Sequence, residues 1–546
     1  MILVGGVNKM KELKFEELSI KQKLGMVMCG LIPCEYRTEE NDEYVLDLIR
    51  NHSLGAVWVN PSTKDLDKIM ARIKEAADYP ILIVTDAESG MGDYKIGKHN
   101  NLGMADSEEL AYAFGKVTAI QARKMGYNVV CNPVIDMIDR RAICGANIRH
   151  MGSDKYRVAA LGIAEGQGMH DGGVLTVGKH YPSANKSNGG RAIDSHMAER
   201  VAYETREELI ENNLYPYIEL SKAGVLDGIM TGHVRMPEID PDYPTSLSKK
   251  VINVIKEQGF DGFVITDALS MMGVVAKFGL TDPKGMCIEA GNDLSLCWTA
   301  QTKEGFDAIC DCYERGLISD ERLDEATKKV LEMQHRVMEL EPKFTEITEE
   351  DKANFKRIAT DSIFAKTDDG LGPSISKDGK HFFMVLTGNE TDINDAGKVD
   401  VATFAGNIWH GGWYDIQRIL GKLEEMFPNS KSIAIREYPS GNEIQHNLED
   451  AANYDDVILV TYQDAQAYVG RECLTSRIIS MVDALQVTDK VSAVVHFGNP
   501  FVLEDLVHIP RIIIGPTSKD GVDAAFEVLV GNYPAKGSLT YKVNFE

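Results

Sequence analysis

The sequence predicts an α/β protein of two domains, an N-terminal (β/α)8 TIM-type barrel followed by a C-terminal α/β/α sandwich domain. Short apolar runs alternate with helical stretches through about the first 300 residues, nearly every run ends in a polar residue, and a second series of apolar runs follows a polar, acidic stretch. Runs that are apolar on both faces and rich in branched residues suit buried parallel strands. Strand–helix alternation of this length is met most economically by a barrel. The expected boundaries are 1–340 for the barrel, 341–365 for a connector and 366–546 for the sandwich.

In chain order, the barrel strands are read at Gly55–Asn60, Ile81–Asp86, Tyr127–Asn132, Val174–His180, Gly228–His233, Gly262–Asp267 and Asp293–Cys297. Between them, Glu108–Met125 and Asp154–Asp171 place apolar residues at helical spacing. Glu321–Leu340 reads as an amphipathic helix, and Glu341–Lys356 as the polar connector. Strands are then expected at Phe382–Leu386, Ser432–Ile435, Val457–Val460, Val491–Val495 and Ile512–Ile514, with helices at Asp415–Met426 and Leu474–Leu485. The sequence has no solenoid-period repeat and no low-complexity tract.

At about 150 residues per domain the 546 residues allow three or four domains, and a barrel of about 250 residues or more lowers that number. The 58 basic and 83 acidic residues leave a net charge of −25, which disfavours a phosphate-tracking nucleic-acid surface and adhesion to anionic membranes. Hydrophobic residues at 44% and charged residues at 26% mark a folded chain and exclude an intrinsically disordered one. Met1–Val4 is too short for the apolar region of a secretory signal, and no stretch approaches the roughly 20 apolar residues of a membrane span. The nine cysteines are odd in number and scattered, and Cys310-Asp-Cys312 has no second pair at zinc spacing. A reduced, cytoplasmic protein is therefore expected, with no metal and no cofactor.

Asp86, Asn132, Lys179, His180, His233 and Asp267 all follow their apolar runs, so all fall at C-terminal strand ends, the face on which barrel enzymes build their sites. Asp267 is followed by a small residue, and a carboxylate fixed there suits a nucleophile or base. His196 has a carboxylate two residues earlier, Asp194. In an extended loop such residues share a side, so Asp194 can orient His196 and support its protonated form. A histidine held in this way can give and take a proton near neutral pH.

Lys179-His180-Tyr181-Pro182 with Asp194-Ser195-His196, and Thr266-Asp267-Ala-Leu-Ser270-Met271, together resemble glycoside hydrolase family 3, specifically its β-N-acetylglucosaminidase branch. That branch carries KH(F/I)PGxGxxxxD(S/T)H and a nucleophile in SDxLSM. Asn147-Ile-Arg149-His-Met-Gly152, Met230-Thr-Gly-His233, Glu289-Ala-Gly291-Asn-Asp293, His496-Phe-Gly498-Asn499-Pro500 and Gly531–Gly537 add further matches, so the resemblance spans nearly the whole chain. It implies a retaining mechanism in which Asp267 attacks the anomeric carbon and His196, oriented by Asp194, serves as acid and then base. It further implies that Asp86, Arg149, Lys179 and His180 hold sugar hydroxyls, with His233 a weaker candidate for the same shell. The implied partner is a small carbohydrate, bound by a monomer or homodimer.

Three features depart from the branch. The loop from Lys179 to Asp194 is four residues longer and carries Asn185, Asn188 and Arg191 in place of PGxG. The branch's DxEGGR reads Asp86-Ala-Glu88-Ser-Gly-Met91, and the arginine expected eight residues after the aspartate is Tyr94, which makes Arg191 a substitute candidate. Thr266 stands where the branch has serine. The alternatives are a β-glucosidase or β-xylosidase of the same family using Glu472 as acid/base, a glycoside phosphorylase, and a non-catalytic sugar-binding protein.

Overall fold

The computed structural model describes residues 10–34, 36–137, 149–186, 193–386, 415–463, 474–541 and 543. They form two units. The first comprises residues 1–94, 111–137 and 155–351, and the second 95–110, 138–154 and 352–546.

The first unit is built on eight parallel strands: β1 (Met28–Ile32), β2 (Ala56–Val59), β3 (Leu82–Thr85), β4 (Val129–Val130), β5 (Leu175–Tyr181), β6 (Gly228–Thr231), β7 (Phe263–Thr266) and β8 (Ser295–Leu296). Their order in the sheet is β7–β6–β5–β4–β3–β2–β1–β8. A parallel bridge from Ile265 to Leu294 joins β7 to the approach of β8 and closes the barrel. The strand β1, Met28-Cys-Gly-Leu-Ile32, was not among the expected runs; its glycine and cysteine lower the branched-residue signal, yet all five residues are buried.

Strand alternation sorts the side chains into two cores. Leu31, Trp58, Leu82, Val84, Val129, Leu175, Val177, Met230, Phe263, Ile265 and Leu296 fill the barrel interior. Met28, Ile32, Val57, Val59 and Val130 face outward to the surrounding helices. Two of these helices, Glu108–Met125 and Lys155–Gly172, cross very closely. A Cβ on Gly115 would lie 2.1 Å from the Glu165 carbonyl oxygen, and one on Gly168 would lie 2.2 Å from that of Tyr112. Helix Asp320–Glu339 starts where expected because Ser319 accepts the Arg322 N–H as its N-cap.

The expected connector is more structured than its polarity suggests. Lys343 and Phe344 donate backbone N–H groups to the Asp171 carbonyl at 2.8 and 3.1 Å. Lys116 Nζ lies 2.9 Å from Asp351 and 4.1 Å from the centre of the Phe344 ring. From Glu349 the chain runs as a helix to Asp361, its first turn holding Glu349, Glu350 and Asp351, where acidic groups complement the helix dipole.

The second unit carries a six-stranded sheet: β9 (Phe364–Thr367), β10 (His381–Leu386), β11 (Lys431–Ile435), β12 (Asp456–Gln463), β13 (Val491–Gly498) and β14 (Arg511–Gly515), ordered β9–β14–β13–β12–β10–β11. Only β9, which the sequence reading placed in the connector and its margin, runs antiparallel to its neighbour. Alternate residues build a core on each face. Phe382, Met384, Leu459 and Val494 pack with helix Ser476–Gln486, and Phe383, Val385, Ile458 and Val495 pack with helices Ile416–Met426 and Lys519–Leu529. This is the three-layer α/β/α arrangement. The division at residue 340 does not capture residues 95–110 and 138–154. Ser538 N–H donates to Met104 O at 3.0 Å and Ser153 N–H to Thr540 O at 2.9 Å, so residues near Met104 and Ser153 pack with the C-terminal chain. No helix among the described residues is long and apolar enough to cross a membrane.

Candidate active site

The interior alternation continues past the strand ends. Leu82 and Val84 lead to Asp86, Leu175 and Val177 to Lys179, and Phe263 and Ile265 to Asp267. Period two therefore aims a carboxylate, an ammonium and a second carboxylate at the C-terminal mouth of the barrel.

Lys179 is 1% exposed and bridges two carboxylates, Asp86 and Glu88, the latter at 2.6 Å. His180 joins it through a bulge. Lys179 pairs with Met230 and Tyr181 with Thr231, so β5 holds one residue more than β6 at this point. The extra residue reverses the alternation. Tyr181 points outward, its Oη donating to Val251 O at 2.6 Å, and His180 turns to the mouth. There His180 Nδ1 lies 2.6 Å from Asp136 Oδ2, and Nε2 lies 3.9 Å from Asp267 Oδ2.

Asp267 is held by its own turn: Ala268 N–H donates to Oδ1 at 2.7 Å, and Asp267 N–H donates to Thr231 O at 2.9 Å. Burial pushes this carboxyl up, but His180, His233, His196 and the Ala268 N–H together outweigh burial and hold it below the ordinary carboxylate range. An ionised, anchored carboxylate at a barrel mouth is equipped to act as a nucleophile.

The loop after β5 supplies the expected dyad. His196 Nδ1 lies 2.7 Å from Asp194 Oδ1, which also accepts the His196 backbone N–H at 3.0 Å. The loop is fastened to the chain just beyond Asp267, with Gly273 N–H donating to Ser195 O at 2.8 Å and Met272 N–H to His196 O at 3.3 Å. Asp194, His196, Lys179, His180, Asp86 and Asp267 are thus all carried on the barrel mouth.

His233 lies two residues past β6. It is 2% exposed. Its Nε2 lies 2.9 Å from Ala268 O and its Nδ1 lies 2.8 Å from Ser246 Oγ. A carbonyl only accepts, so Nε2 carries a proton, and burial lowers the His233 pKa. Both nitrogens meet protein groups, and through Ala268 O the ring supports the Asp267–Ala268 turn. Asn132 is likewise a structural tie: it accepts Ala87 N–H at 3.2 Å and donates to Glu165 at 2.9 Å.

Arg149 lies half-buried in a turn that groups with the second unit. Arg191 and Glu472 fall outside the described residues. Two site residues escaped the sequence reading. Glu88 stands in the quoted Asp-x-Glu, and its i, i+2 relation to Asp86 was the available signal. Asp136 gave none, because its partner His180 is 44 residues away. Among the described residues, metal-ligand groups cluster at Asp282, Asp311 and Cys312. There the Arg315 guanidinium already supplies a cation, 2.8 Å from Asp311 and hydrogen-bonded to Asp282.

Comparison with known proteins agrees with this architecture. A β-hexosaminidase of Tolumonas auensis is 28% identical over 302 residues, which are 53% of this chain and 86% of the relative. Among solved structures, a glycoside hydrolase family 3 β-N-acetylglucosaminidase from Paenibacillus sp. str. FPU-7 superposes with a TM-score of 0.74 at 24% identity, covering 97% of this chain and 100% of that one. The β-glucoside phosphorylase BglX gives a TM-score of 0.76 at 23% identity, covering 97% of this chain and 95% of that one. Residues 10–333, more than half of the chain, match the glycosyl hydrolase family 3 N terminal domain, and the chain belongs to glycosyl hydrolase family 3.

Proposed function

We propose that the protein is a retaining exo-β-glycosidase, a β-N-acetylhexosaminidase that releases terminal β-linked N-acetylglucosamine. The observation that carries the reading is the His196–Asp194 contact of 2.7 Å in a loop hydrogen-bonded to the residues just beyond Asp267. Nucleophile and proton donor are thereby tied to one turn.

In the first step an Asp267 oxygen bonds to the anomeric carbon, the bond to the leaving oxygen breaks, and His196 gives that oxygen a proton. Asp194 occupies Nδ1, so the travelling proton is carried on Nε2. In the second step water attacks the same carbon, His196 takes its proton, and the ester to Asp267 breaks. Asp86, Lys179 and His180 hold hydroxyls of the reacting sugar, and charge strengthens such bonds. Arg149 and Arg191 keep the hydroxyl-binding role by motif alone. His233 positions Ala268 and, through it, Asp267. The seven described cysteines are all free, which supports a cytoplasmic setting.

The test is a panel of aryl β-glycosides (glucosaminide, galactosaminide, glucoside, xyloside) assayed with the parent protein, His196→Ala and Glu472→Ala. Preference for the N-acetylglucosaminide, with a loss on slow leaving groups in His196→Ala, is expected. Loss confined to Glu472→Ala would overturn the assignment of His196.

A further inference from the structure

The charged groups are unevenly spread around the barrel mouth. Asp86 and Glu88 follow β3, Asp136 follows β4, Lys179, His180 and His196 belong to β5 and its loop, and Asp267 follows β7. The arc β8–β1–β2 holds two tryptophans, Trp58 in β2 and Trp298 just past β8.

The two rings meet edge to face, with centroids 5.8 Å apart and an interplanar angle of 70°. Trp58 belongs to β2, faces the barrel interior and is 3% exposed. Trp298 comes two residues after β8, and β1 lies between β8 and β2. To reach Trp58 the Trp298 indole must lie across the C-terminal end of β1, over the mouth instead of on the outer wall. It is also tied to the nucleophile's turn, since Leu269 N–H donates to Leu296 O at 3.2 Å. That bond joins the residue two after Asp267 to the residue two before Trp298.

Two features of Trp298 are costly for the fold alone. The residue is 36% exposed. Its φ is +44°, a region that bulky side chains rarely adopt. Residues held in such conformations concentrate at ligand sites, where the surroundings over-determine them. A sugar ring presents hydroxyls at its rim and C–H groups on its faces. The charged arc suits the rim, and an indole suits a face.

We propose that Trp298 is a stacking platform for the leaving-group sugar, forming a ring-recognising subsite on the solvent side of Asp267. The inference rests on the glycosidase reading above. Position selects the occupant: Asp267, which the reacting sugar meets, is one residue past its strand, and Trp298 is two residues past its own.

The experiment compares kcat/KM for a β-linked N-acetylglucosamine disaccharide with kcat/KM for N-acetylglucosaminyl fluoride, whose leaving group has no ring. In Trp298→Ala the disaccharide-to-fluoride ratio is expected to fall about tenfold, the scale of a lost aromatic contact. Trp298→Phe, which keeps a ring, is expected to recover most of it. Turnover of the fluoride also reports that each variant is folded. A ratio within twofold of the parent value in Trp298→Ala would overturn the subsite. A parent protein inactive on both substrates would overturn the glycosidase reading and the subsite with it.

Discussion

His180 Nε2 and Asp267 Oδ2 stand 3.9 Å apart, and Asp136 holds the far side of the same imidazole at 2.6 Å. The ring lies between Asp136 and Asp267 and helps keep the Asp267 carboxyl ionised.

The acidic limb of kcat/KM reports this link. Three imidazoles act on the Asp267 carboxyl through their charge, His180 of β5, His233 just past β6 and His196 of the loop after β5, together with the Ala268 N–H. They hold its pKa below the ordinary 3.8, so the acid limb of the parent enzyme falls below that pH. In His180→Gln burial is less opposed and the pKa rises, so the limb moves to higher pH whatever the loss in rate. A pH–rate profile with an unmoved limb would show that His180 does not tune Asp267.

His233 makes a separable contribution. His233→Leu leaves Ala268 O and Ser246 Oγ without their partner, and kcat is expected to fall about 10- to 100-fold from a displaced nucleophile. His233→Gln can still donate to Ala268 O and should recover part of the loss. Equal losses in both variants would mean that ring volume matters and the donor does not.

Lys116 and Asp351, 10% and 7% exposed, form a nearly buried pair. Lys116→Met leaves the carboxylate with Thr348 as its remaining donor and is expected to cost about 2 kcal/mol in urea unfolding. Burial pushes the Asp351 carboxyl up, but Thr348 and Lys116 together hold it below 3.8. A depressed folded pKa gives stability that is present above the unfolded value and lost as pH falls through the folded one. The parent protein should lose this contribution below about pH 4, and the variant should show a shallower acid dependence.

Water is the expected acceptor. In phosphate buffer the products should be free N-acetylglucosamine and the aglycone, read by 31P NMR and chromatography. Sugar 1-phosphate formed in proportion to turnover would make phosphate the acceptor.

Much of this was legible in the chain because the barrel signal is local. Each apolar run reports its own strand, and period two carries the reading from Val84, Val177 and Ile265 to Asp86, Lys179 and Asp267. The Asp194–His196 pair was legible as a local spacing, but a turn closed by Met197 N–H on Asp194 O, not the extended loop expected, brings the two side chains together. The misses are non-local. Asp136 meets His180 only through the barrel, and the Ser246 and Ala268 partners of His233 come from other segments. Residues 95–110 and 138–154 join the second unit through long-range packing that periodicity does not report. The connector reads as polar because its acidic groups cap a helix and pair with Lys116.

The most direct test traps the covalent intermediate. The protein is incubated with a 2-deoxy-2-fluoro-β-glycoside bearing a good leaving group, digested, and mapped by mass spectrometry. A fluoroglycosyl group on the peptide holding Asp267, lost in Asp267→Asn, is the expected result. Attachment to Asp86, Glu88 or Asp136, or release of product with inverted anomeric configuration and no adduct, would contradict the assignment of Asp267 as nucleophile.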